Sequence, residues 1–221
     1  MKKFLSLLIF LCGSALYGIK KGDMLVSIPY KKGSSVVSEL VKLQKNFDFR
    51  SKPRDYQFHT TVAYVEGVYK GEYKKGWTSV PEGISEALMG RKRWEDGSES
   101  NFAPIKEICG LTLGDLALFG NHVVVRLAGR GVDEFVRLHD NVAEMCSNRS
   151  EECNVSQEHA DYIPHISLGQ IDAAQEEDVK GIIDGLNRGR ARVADFCVDT
   201  VRLSFENKSA DKPLDSCHFD L

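Results

Sequence analysis

The chain has 221 residues, 42% of them hydrophobic, with 29 basic against 32 acidic side chains and a formal charge of -3. That is room for one medium domain, or for two small lobes on a shared core. The near balance of charge excludes the broad basic face that coats long nucleic acid, and it leaves open a small anionic ligand held by a few residues.

MKKFLSLLIFLCGSALYG opens the chain. Lys2 and Lys3 precede an apolar run from Phe4 to Leu11, then the small residues Gly13, Ser14 and Ala15. This is the three-part layout of a secretory signal peptide, with cleavage expected after Ala15. The run falls short of the ~20 residues a stable membrane span needs. The expectation is an exported protein with residues 1–15 removed and no stable membrane span afterwards. Cys109, Cys146, Cys153, Cys197 and Cys217 would remain. Outside the reducing cytosol Cys146 could bridge to Cys153, or Cys197 to Cys217, or the thiols could stay buried and reduced.

DMLVSIPY (23–30) reads as a strand. Ser34 or Ser35 can cap the helix that follows, in which Val37, Leu40, Val41 and Leu43 recur at helical spacing. A loop with Pro53 leads to a β-prone run, FHTTVAYV (58–65). PEGISEALMG (81–90) suits a short helix with proline in its first turn, and RKRWEDGSESN (91–101) reads as a solvated loop. NHVVVRLAG (121–129) is a strand, and VDEFVRLHDNVAEMC (132–146) an amphipathic helix. A polar connection then leads to YIPHISLGQI (162–171), a second β-prone run. Asp172 and Gln175 form a capping-box pattern before a helix carrying Val179, Ile182, Ile183 and Leu186. ADFCVDTVRLSFE (194–206) alternates as a strand does.

Strand, helix, histidine-bearing strand and helix thus occur in each half, which predicts a pseudo-symmetric α+β protein. Alternation along a strand sends His59 and Thr61 to one side and Phe58, Thr60 and Val62 to the other. It likewise separates His165 and Ser167 from Ile166 and Leu168. Of the chain's 6 histidines, His122, His139, His159 and His218 lack a hydroxyl two places on. Two imidazoles and two hydroxyls facing one cleft suit displacement at a phosphodiester. One imidazole takes the proton of the attacking oxygen and the other protonates the leaving oxygen. The hydroxyls donate to the non-bridging oxygens.

FHTTVAYV and PHISLGQI resemble the paired H-x-[ST]-h signatures, h being apolar, of the two-histidine (2H) phosphoesterase superfamily. LVSIPY with its helix, and LFGNHVVVRLAG, are also similar to that family's layout, and the resemblance spans residues 23–206. It implies that residues 16–221 form a single bilobal α+β domain, with two antiparallel sheets flanking a central cleft and helices outside. His59 and His165 would be catalytic, Thr61 and Ser167 would bind phosphate, and no metal or other cofactor would be required. The implied reaction is hydrolysis of a 2′,3′-cyclic phosphate or a 2′-5′ linkage in a small nucleotide or a short RNA end. His165 is assigned as the base acting on water and His59 as the acid. The chain departs from the pattern in having serine in the second motif, where threonine is commoner, and in its N-terminal signal.

Three other readings use the same residues. An exported protein of this fold could bind a nucleotide or oligonucleotide without turning it over. A disulfide-stabilised interaction protein could carry the histidines incidentally. Cys146, Cys153, His159 and His165 could hold a metal, though the cysteine spacing is wide for a zinc site.

Overall fold

The structure is a computed structural model that describes residues 22–68, 79–89, 91–93, 99–101, 105–149, 153–156, 162–189, 195–205 and 208–214. The expected signal peptide, Trp94, His159 and Cys217 lie outside them. Chain order runs β1 (Met24–Pro29), α1 (Ser35–Gln44), β2 (His59–Glu66), α2 (Val80–Leu88), β3 (Arg91–Arg93), β4 (Glu99–Asn101) and β5 (Ile108–Phe119). It continues with β6 (His122–Ala128), α3 (Val132–Ser147), β7 (Asn154–Val155) and β8 (His165–Gln170). A 3-10 turn (Ala173–Gln175) then leads into α4 (Glu176–Gly189), β9 (Phe196–Val198), β10 (Thr200–Phe205) and β11 (Lys208–Pro213).

Local chemistry sets the helix starts. The Ser34 hydroxyl accepts from the Val37 N–H, and the Ser79 hydroxyl accepts from the Glu82 N–H. Each satisfies a donor that the first helical turn leaves without a partner, a contribution of ~1 kcal/mol. The Asp172 N–H donates to Gln175 Oε1, as the capping-box pattern requires.

Every strand pairing is antiparallel, and the main path runs β11-β10-β1-β2-β8-β6-β5-β9, with β7 attached to β2. The two expected sheets are therefore halves of one, joined where β2 meets β8 by a single pair, Thr60 with Ile166. The segment read as one strand at 194–206 is divided at Asp199. Its first part is the last strand at one end of the path, on β5, and its second is the last but one at the other, between β1 and β11. One residue cannot span a flat sheet of that width, so the sheet rolls until its ends meet at Asp199. A T-shaped contact between Tyr30 and Phe196, centroids 6.0 Å apart, closes the same seam.

Apolar side chains of both halves form one core that includes Val26, Ile28, Leu40, Val62, Phe135, Leu138, Ile166 and Leu168. The helices cross between halves: α1 packs on β8, and α3 packs on β2. Each helix thus supports the histidine strand of the other half. The region read as a solvated loop at 91–101 contains the short β3–β4 hairpin. A disulfide links Cys109 of β5 to Cys197 of β9, and Cys146 and Cys153 are free thiols in the core. Of the alternatives left open by the sequence, Cys146 and Cys153 thus follow the buried, reduced one, and Cys197 is bridged to Cys109, 88 residues away, instead of to Cys217.

Candidate active site

His59 and Thr61 are half-buried while Thr60 and Val62 are buried; His165 and Ser167 are half-buried while Ile166 and Leu168 are buried. Both strands therefore place their polar pair on one face and their apolar pair in the core, as alternation predicts. The Thr60–Ile166 pair fixes the register between them. In an antiparallel ladder the flanking positions then stand across from each other, His59 beside Ser167 and Thr61 beside His165. The two histidines are diagonal neighbours, which in a regular sheet lie roughly 7–8 Å apart. The alternation expected from sequence holds for all four residues, each of which lies on the half-buried side of its strand.

The strands share an irregularity as well. Opposite β1, Ser27 pairs with Thr61 and Val26 with Ala63, so Val62 is an extra residue. Opposite β6, Val124 pairs with Ser167 and Val123 with Gly169, so Leu168 is an extra residue. Each motif therefore has a β-bulge three residues after its histidine. Bulges bend a strand and withdraw it from pairing, which accounts for the single pair at the β2–β8 seam.

A bulge leaves carbonyls that the ladder does not use, and buried carbonyls need donors. The Gln44 side-chain amide of α1 donates to Leu168 O at 2.8 Å and to Pro53 O at 3.1 Å. His139 of α3 donates from Nδ1 to Val62 O at 2.8 Å. The Tyr162 hydroxyl donates to Thr61 O at 2.8 Å, and its ring stacks on His139 with centroids 4.2 Å apart and planes 3° from parallel. Sequence reading passed over Gln44 and His139. The available signal was a polar residue on a helix's buried face, since Gln44 follows Leu40 by four places and His139 follows Phe135 by four.

The imidazoles are held alike. His59 Nδ1 bonds to Gln57 O at 2.8 Å, and His165 Nδ1 bonds to Ile163 O at 2.8 Å. A carbonyl only accepts, so each Nδ1 carries the proton and each Nε2 is the atom that can take or give one. Burial holds the His59 imidazole below its ordinary value of 6.5, and the Arg202 guanidinium pushes the same way. The bond to Gln57 opposes both. Phe119 meets the His165 ring edge-on, centroids 4.8 Å apart. Ser167 Oγ is buried and has no hydrogen-bond partner among the described residues.

Among the described residues, one cluster has metal-ligating atoms close together: Glu107, Cys109 and Cys197. Its two sulfurs are bonded to each other. In the four-residue metal set, Cys146 and Cys153 lie in the core, whereas His165 sits on the site face. No helix among the described residues is long and apolar enough to cross a membrane.

No family model and no curated protein matches the sequence. Solved structures do match. TT0787 of Thermus thermophilus is 15% identical at a TM-score of 0.47, covering 89% of this chain and 100% of its own. Escherichia coli LigT complexed with 3′-AMP is 17% identical at 0.49, over 87% and 94%. Kluyveromyces marxianus Usb1 is 12% identical at 0.48, over 87% and 98%.

Proposed function

We propose that this protein is an exported phosphodiesterase that opens 2′,3′-cyclic phosphates or cleaves 2′-5′ linkages in small nucleotides or RNA ends, with His59 and His165 as the acid–base pair. The observation that carries the reading is the matched pair of Nδ1 bonds, to Gln57 O and Ile163 O. They give the two imidazoles the same tautomer, with Nε2 as the working atom of each, from diagonal positions at one seam.

Burial favours the neutral form of His59, which supports His59 as the base, the opposite of the assignment made from sequence. Its Nε2 takes a proton from water as the water oxygen bonds to phosphorus. The bond from phosphorus to the ribose oxygen breaks, and the protonated Nε2 of His165 delivers its proton to that oxygen. Thr61 and Ser167 donate to the non-bridging oxygens, where charge accumulates. Every group in this scheme is a side chain, so no metal is required. The N-terminal residues support export, and the Cys109–Cys197 disulfide suits an oxidising compartment.

The test is incubation of the mature protein with chelator and either a 2′,3′-cyclic nucleotide or a 2′-5′ dinucleotide in heavy-oxygen water. The expected product is a phosphomonoester carrying one heavy oxygen. Saturable binding with no product would instead establish a nucleotide-binding protein.

A further inference from the structure

Cross-strand partners share a face, and a row of them runs across the sheet through the site. Asp211 pairs with Arg202, Arg202 with Ser27, and Ser27 with Thr61. Thr61 and His165 both flank the Thr60–Ile166 pair at the seam, and Arg126 of β6 pairs with His165. An arginine thus flanks the two-histidine face on either side. The two differ in charge balance. Arg202 is tied to Asp211 through Nε–Oδ1 at 2.5 Å and Nη2–Oδ2 at 2.9 Å, which offsets its charge. Arg126 is exposed, and among the described residues no carboxylate pairs with it. Its guanidinium carbon lies 5.6 Å from the Phe119 centroid, over the same ring that meets His165 edge-on.

We infer that Arg126 is a second anion-binding position and that the substrate of the reaction proposed above carries a further phosphate beyond the one attacked. Adjacent strands stand about 4.8 Å apart, so the guanidinium begins one strand beyond His165, on the side away from His59. Phe119 limits where that guanidinium can lie, and a planar fork held in place matches two oxygens of a phosphate. On the opposite side the Arg202–Asp211 pair offers no net charge. The asymmetry orients a nucleotide with two phosphate groups along the row, with its second phosphate over β6.

This inference rests on the phosphodiesterase reading, and one experiment separates the two. Turnover is compared for 2′,3′-cyclic AMP with and without a 5′-phosphate, using the wild type, Arg126→Gln and Arg126→Lys. The wild type should favour the 5′-phosphorylated substrate in kcat/KM by about tenfold or more, the size of a charge-assisted hydrogen bond. In Arg126→Gln that ratio should fall close to one, and Arg126→Lys should keep part of it. A wild type that turns over both substrates equally, or an Arg126→Gln protein that keeps the full preference, overturns the inference and leaves the phosphodiesterase reading intact. Failure to turn over either of these substrates or a 2′-5′ dinucleotide overturns the phosphodiesterase reading. Titration with adenosine 2′-monophosphate and adenosine 2′,5′-bisphosphate then decides the subsite alone: equal affinities, or a preference that survives Arg126→Gln, would refute it.

Discussion

The side-chain amide of Gln44 donates to the carbonyl of Leu168, 124 residues further along the chain, at 2.8 Å. Leu168 is the bulged residue of the second histidine strand, and His139 serves its counterpart Val62 in the first. Each half's helix therefore fixes the other half's bulge. Gln44→Leu removes donors to two buried carbonyls, which costs roughly 1–3 kcal/mol. A positioning role predicts in addition a lower kcat with KM little changed. Urea denaturation and steady-state kinetics read the two effects separately. An effect on stability with no change in kcat would reduce Gln44 to a structural residue.

Ser167 gives a prediction of opposite sign for stability and activity. Its hydroxyl oxygen is buried and without a partner among the described residues, so it contributes nothing to folding that would offset its lost hydration. Ser167→Ala should leave stability unchanged or raise it slightly, while kcat/KM falls by about tenfold or more, as expected for a lost charge-assisted donor. Thermal unfolding and turnover of a 2′,3′-cyclic nucleotide check both halves of the statement.

The titration of His59 and His122 sets a direction for stability against pH. Burial depresses both imidazoles below the ordinary 6.5 in the folded chain. Below that value the unfolded chain binds more protons, so stability should fall as pH drops through about 6.5 and toward 5. Above it the contribution of both groups is fully present. Denaturant midpoints at pH 5 and pH 7.5 should show the drop, and His122→Gln should reduce it.

The disulfide makes the fourth prediction. Cys109 and Cys197 are 88 residues apart, and their bond ties β5 to the edge strand β9. Cutting it with Cys109→Ser plus Cys197→Ser should cost about 2–5 kcal/mol, chiefly by releasing the unfolded chain. Free-thiol counting should rise only when the bond is reduced. A double variant as stable as the parent would show that the bond adds nothing.

Much of the site could be read from sequence because strand alternation alone assigns faces. His59, Thr61, His165 and Ser167 needed only parity to be placed on the polar side of their strands. Helix starts were readable for a similar reason, since Ser34, Asp172 and Gln175 act within a few residues of themselves. What escaped depends on contacts far apart in the chain. The strand β5 carries Gly110, Gly114 and Asp115 within its apolar run, and only its pairing with β6 and β9 makes it a strand. The break at Asp199 comes from the rolling of the sheet, which no local pattern encodes. The same holds for the Cys109–Cys197 pairing and for the row that brings Arg126 and Arg202 to either side of the histidines. The burial that lowers the His59 pKa is likewise a property of the assembled fold, which the local sequence does not encode.

The proposed reaction requires both imidazoles to act on one phosphorus. Single-turnover hydrolysis of a 2′,3′-cyclic nucleotide in the presence of chelator tests this with His59→Gln and His165→Gln, each first shown to be folded by circular dichroism. Each variant should lose roughly 10²–10⁴-fold in rate, the usual contribution of a positioned acid or base, and the double variant should lose little more than either alone. Full rate in either single variant would contradict it.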